Sequence, residues 1–169
     1  MSDHNTEQKL NAATKLIEYI ECKPILYKEK RASMEKQNQE KMFEEMLQGK
    51  TSGEATGFRG VAFNTNDQEK AQQQIKEVEH DIFKQIEIVR DGVDFYYEGG
   101  WYPAPRYAWR IAVLLRKEKA YDLELRFLEA WNARWPDGVG KRYKMLKDRE
   151  EKARTLAMKS VDVRSSANE

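Results

Sequence analysis

Apolar residues recur at helical spacing along most of the chain, and the spacing predicts where the helices lie. Thr6 and Glu7 offer a cap and an acidic first turn, and Leu10, Ala13, Ile17 and Ile20 follow at intervals of three and four. A first helix is expected there, ending before Pro24, because proline disfavours α geometry at the preceding residue. From Ile25 to Leu47 the composition again suits a helix, but its apolar residues gather at the two ends: Ile25, Leu26 and Tyr27, then Met42, Phe43, Met46 and Leu47. The middle, KEKRASMEKQNQEK, offers little to bury and predicts a solvated helix or arm. Glycines at 49, 53, 57 and 60 among Ser, Thr and Asn predict a long loop over 49–66, within which Phe58, Val61 and Phe63 could tuck back onto a core. Asp67 can cap the next segment, and Ala71, Ile75, Val78, Ile82, Ile86 and Val89 predict a single helix over 67–91 that closes at Gly92 in the left-handed C′ position. This stripe is nearly heptad, so helix 67–91 could pair with its copy in a homodimer, or lie as an amphipathic helix on its own core.

Val93 to Trp101, VDFYYEGGW, is β-branched and aromatic with Gly99 and Gly100 as a turn, and predicts a short β-hairpin or an extended aromatic segment. Helical periodicity returns after Pro105, breaks near Lys119 and stops before Pro136, which gives two antiparallel helices. A last, strongly charged helix is expected from Lys141 to Met158, with Tyr143, Leu146, Ala153 and Leu156 as a thin apolar seam and a disordered tail behind it. The fold class is therefore mainly α: a helical bundle with a helix hairpin near its C-terminus and one short β-hairpin or extended aromatic segment. The expected parts are an N-terminal helical segment (1–48), a flexible loop (49–66), a helical C-terminal domain (67–158) and a tail (159–169).

Residues 105–136 resemble a single tetratricopeptide-type helical hairpin. Ile111 and Ala112 fall where that family has its Leu and Gly, Leu115 at its aromatic position, Tyr121 at the tyrosine that starts the second helix, Leu128 at its large residue and Pro136 at the closing proline. Glu124 and Trp131 depart from the pattern, standing where the family packs small alanines. No second copy follows at that period, so the hairpin must pack on the rest of the chain or on a partner. The resemblance implies binding of a protein or peptide.

Composition narrows the classes. The 169 residues, 40% hydrophobic and 35% charged, fit one domain or two small ones. No stretch approaches the roughly 18 apolar residues needed to span a bilayer, and the N-terminus lacks the basic region and apolar run of a secretory signal, so a cytoplasmic protein without membrane partners is expected. One cysteine, Cys22, and two histidines, His4 and His80, exclude a disulfide framework and a zinc site built from Cys and His. No cofactor or metal is expected. The net charge of +1 hides an asymmetry: 61–100 carries four basic and nine acidic residues, 101–169 sixteen basic and ten acidic. Such surfaces can pair within the fold or face partners of opposite sign.

Little catalytic chemistry stands out. GKTS at 49–52 matches the end of a phosphate-binding P-loop, but Glu44 occupies the place of the leading glycine and a helix precedes it instead of a strand. Glu77 and His80 have the Glu-x-x-His spacing of di-iron bundles without the second copy that such sites need. Cys22 and the serines have no motif around them, and 29 acidic residues always allow a carboxylate pair without singling one out. The chain is thus read as a non-enzyme, with a hidden acid/base pair left open.

Aromatic clustering is the signal that remains. Phe95, Tyr96, Tyr97, Trp101, Tyr102, Tyr107 and Trp109 fall within fifteen residues, followed by arginines. Phe95, Tyr97 and Trp109 are read as core. Trp101, Tyr102, Arg106, Arg110 and Arg116 are read as partner-binding, since Trp, Tyr and Arg dominate binding hot spots. The expected function is a small helical interaction module, an adaptor, inhibitor or assembly subunit. The alternative is a nucleic-acid-associated protein, in which the same rings stack bases and Lys141, Arg142, Lys144 and Lys147 meet phosphates.

Overall fold

The computed structural model describes residues 2–57 and 67–166, with side chains between 4 and 160. Among the described residues there are eight α-helices and no strand: α1 (Ser2–Glu21), α2 (Lys28–Leu47), α3 (Ser52–Thr56), α4 (Gln68–Val78), α5 (Ile82–Gly99), α6 (Pro105–Lys117), α7 (Tyr121–Arg134) and α8 (Lys141–Ser166). Among the described residues no helix is long and apolar enough to cross a membrane. The chain divides into two compact units, one formed by Met1–Lys23 with Ala108–Glu169 and the other by Pro24–Tyr107.

The first unit is built on α7, which packs against both α8 and α1. α1 buries Ala13, Leu16, Ile17 and Ile20, one face at the i, i+3, i+4, i+7 spacing that a helical stripe requires. α6 buries Ala108, Ile111, Ala112 and Leu115 in the same way. α7 contributes Phe127, Leu128 and Trp131, and Trp131 lies 4.4 Å from the Trp135 ring and 6.3 Å from that of Tyr143. Each such side chain contributes about 1.5–3 kcal/mol when withdrawn from water. Glu124 and Trp131, the two departures from the tetratricopeptide pattern, are both fully buried. Thr6 is not the N-cap expected: α1 starts at Ser2, and the Thr6 hydroxyl donates to Glu118 at 3.2 Å. α8 continues to Ser166, past the Met158 end that the seam suggested.

The second unit packs α2 against α3 and α5, and α4 against α5. Its core is smaller, with Val78, Ile82, Ile88, Val89, Val93 and Tyr96 buried, and α2 buries no residue at all. Two expectations fail here. The helix expected over 67–91 is two helices, because Asp81 accepts hydrogen bonds from the amides of Phe83 and Lys84 and so caps a new start. Gln85 ties the junction by donating to the Val78 carbonyl at 2.5 Å.

The β-hairpin expected over 93–101 is absent. Val89, Val93 and Tyr96 carry the buried 3.6-residue stripe straight through Gly92, so tertiary packing overrides the β propensity of VDFYY. The helix closes instead at Gly100, whose φ of 81° is left-handed, with its amide donating to the Tyr96 carbonyl. Gly92 is an interior helical residue that lets Pro103 approach, since a Cβ there would stand 3.2 Å from the Pro103 Cβ. The extended alternative fails over 93–99 as well, and only residues 100–104, after the helix, are neither helix nor strand. Within the 49–66 loop, α3 forms from a capping box: Thr51 accepts from the Glu54 amide while Glu54 accepts from the Thr51 amide. Phe58, Val61 and Phe63 lie outside the described residues.

Candidate functional site

The second unit contains a cavity of about 400 Å³, within the range of small-molecule and side-chain pockets. Phe95 of α5 and Trp101, Tyr102 and Pro103 of the segment that follows it form its aromatic and apolar wall. Met42 and Glu35 of α2, Ser52 and Thr56 of α3, Gly92 of α5 and Ala104 complete the lining. Trp101 stacks on Phe95 with centroids 4.7 Å apart and planes 12° apart. Its indole also covers Gly99, where a Cβ would meet the ring at 2.6 Å. The second glycine of the turn sits against α2, and a Cβ on Gly100 would stand 2.6 Å from the Arg31 carbonyl and 2.7 Å from the Glu35 amide.

Arg31 fastens this wall. Its Nη1 donates to the Gly100 carbonyl at 3.0 Å and to Glu35 Oε2 at 2.6 Å, and its guanidinium lies 4.6 Å from the centroid of the Tyr102 ring. Burial opposes the charge, but the Glu35 hydrogen bond and the Tyr102, Glu35 and Tyr96 side chains hold the guanidinium pKa above its ordinary value. Tyr96 is buried 5.6 Å from Tyr102, and Tyr97 donates to the Pro24 carbonyl at 2.6 Å.

The residues expected to bind a partner separate. Trp101 and Tyr102 come together on the cavity wall, half-exposed, and Phe95, expected in the core, joins them there. Arg106 is half-exposed at the start of α6 in the same unit, and burial pushes the phenol pKa of neighbouring Tyr107 up against the pull of the Arg106 charge. Arg110 and Arg116 belong to the other unit. Arg110 is half-exposed, whereas Arg116 donates from Nε to Glu124 Oε2 at 2.8 Å. Glu124 accepts from Arg149 Nε at 2.8 Å on its other oxygen, and Arg149 covers Trp109, 4.8 Å from the ring centroid. Lys141, Arg142 and Lys144 are exposed at the start of α8, and Lys147 donates to the Pro136 carbonyl at 2.5 Å.

Sequence reasoning missed Arg31, Glu35, Met42, Ser52 and Thr56, which sit in segments read as a wet helix face and a loop. The Thr51-Ser-Gly-Glu54 box was a legible signal for α3, and the contributions of α2 had none. The GKTS residues serve local structure: Lys50 pairs with Glu45 at 3.0 Å, and Thr51 is the cap of α3. Glu77 accepts from Gln73, and His80 is exposed. Among the described residues no group of three or more His, Cys, Asp or Glu is placed to hold a metal ion. No protein-family model, curated protein or solved structure matches this chain.

Proposed function

We propose that this chain is a small helical protein-recognition module of the cytoplasm, an adaptor, inhibitor or assembly subunit that holds a larger protein through its aromatic segment and the basic residues after it. The observation that carries the reading is the placement of Trp101 and Tyr102, half-exposed on the wall of a cavity of about 400 Å³. Trp and Tyr present large, rigid contact area with a polar tip, and binding energy concentrates where such rings edge a pocket. The likeness of residues 105–136 to a tetratricopeptide hairpin supports the same reading.

The test is affinity capture from the native host with the full chain as bait. Trp101→Ala should lose the captured protein while far-UV circular dichroism stays unchanged. Unaltered capture by Trp101→Ala contradicts the reading. The second reading, nucleic-acid binding, draws on exposed Lys141, Arg142 and Lys144. It requires an affinity for single strands or duplex that falls steeply with salt, because each phosphate contact releases a counterion.

A further inference from the structure

The cavity has a charge signature as well as a shape. Glu35 is its one charged lining residue among those described, and no basic side chain joins it. Arg31 occupies Oε2 of that carboxylate, while Oε1 has no hydrogen-bond partner among the described residues and the side chain is 38% exposed. Most of the remaining wall is apolar, with Phe95, Trp101, Tyr102 and Met42 as its large side chains, and Ser52 and Thr56 add two hydroxyls. Aromatic faces attract cations through their quadrupole.

Ligand classes separate on these terms. An anion would meet a carboxylate and the negative faces of the rings. A neutral apolar group would displace water from Glu35 Oε1 and give it no donor, leaving an acceptor unsatisfied. A slim aliphatic stem that ends in an ammonium meets both requirements, with methylenes against the apolar wall and N–H donors at the open oxygen. The same unit already holds a cation in this arrangement, since Arg31 binds Glu35 and covers Tyr102 at 4.6 Å. Residues 24–107 also carry fifteen acidic against twelve basic side chains, a balance that attracts a basic segment.

Building on the recognition reading, we propose that this cavity takes a lysine side chain of the partner protein, its stem against Met42 and the rings and its ammonium at Glu35 Oε1. The experiment is an NMR titration of the full chain, read at the Trp101 indole N–H, with N-acetyl-lysine N-methylamide and the matching norleucine and Nε-acetyl-lysine compounds. The lysine compound should give a saturable shift, and the two uncharged compounds should bind at least about fivefold more weakly. Glu35→Gln should bring lysine down to the norleucine level. Met42→Glu should strengthen lysine binding by about fivefold, a gain that loss of fold cannot imitate.

Equal binding of lysine and norleucine to the unmodified chain, or no response to lysine, overturns the proposal. If lysine fails while Trp101→Ala still loses the captured protein, only this inference falls. If lysine binds but Trp101→Ala keeps the captured protein, the partner assigned here is wrong together with the recognition reading, and the cavity is a site for free amines.

Discussion

Each unit of the molecule has an arginine that lies over an aromatic ring and binds a glutamate, and the two clusters differ in what they leave open. In the first unit Glu124 is fully buried with both oxygens occupied, by Arg149 and Arg116, and Arg149 spends a further donor on the Ala112 carbonyl at 3.2 Å. In the second unit Glu35 is partly exposed and gives one oxygen to Arg31. The same residue types thus make a closed brace where both carboxylate oxygens are taken, though Arg116 Nη2 is buried without a partner, and a receptor wall where a carboxylate oxygen and ring edges border a cavity. The arginines register the difference. Burial and the charge of Arg116 lower the Arg149 pKa in spite of Glu124, whereas Glu35 and the nearby phenols raise that of Arg31 in spite of burial.

The sharpest way to break this contrast is to remove each carboxylate in turn. Glu124→Ala leaves a buried guanidinium with no counter-charge and should cost about 3–5 kcal/mol, the usual penalty for stripping one partner from a buried ion pair. Glu35→Ala removes a partly exposed i,i+4 pair and should cost no more than about 1 kcal/mol. Urea unfolding midpoints compare the two. Equal losses would mean that the Glu35 cluster is a brace as well. Adding Arg149→Met to Glu124→Ala should restore most of the lost stability, because the stranded charge goes with it.

Next in size is the turn that holds the receptor wall. Gly100→Ala forces a Cβ into a left-handed residue at φ 81° and against two backbone atoms of α2, neither of which can rotate away. A loss of about 1–3 kcal/mol is expected. The substitution should also perturb the Trp101 fluorescence, since that ring follows directly on the turn. An unchanged spectrum and midpoint would show that the approach of α2 to this turn does not shape the cavity.

These two clusters also show what the sequence could convey. Periodicity predicted α1, α6 and α7 and most of their buried faces, because a 3.6-residue stripe is a local property of the chain. Aromatic clustering drew attention to Trp101 and Tyr102. The ion pairs were illegible, because Arg149 meets Glu124 from another helix at a separation of 25 residues, and nothing in KEKRASMEKQNQEK distinguishes Arg31 and Glu35 from their exposed neighbours. The strand propensity of VDFYY was a true local preference that lost to the continuing apolar stripe of α5. The Asp81 cap was visible in the sequence, but a stripe extending across it hid the break.

The smallest effect expected tests a third carboxylate, intermediate between the other two. Glu118 in the first unit is about one-quarter exposed and accepts from Lys9 Nζ at 2.7 Å and from the Thr6 hydroxyl. The Lys9 hydrogen bond, helped by the Lys9 charge and by Thr6, holds its pKa below the ordinary glutamate range against a partial burial that would raise it. A carboxyl whose pKa is lower in the folded chain than in the unfolded one stabilises the fold above the unfolded value of about 4.3, and that stability is lost as pH falls through the folded value. Glu118→Gln should therefore lie below the unmodified chain by less than about 1 kcal/mol at neutral pH, the scale of a surface pair. The gap should close in acid and shrink in high salt, where solvent-exposed pairs are screened. A gap independent of pH between neutrality and strong acid would mean that Lys9 does not hold Glu118, and that the saturated pairing of the first unit stops at Glu124.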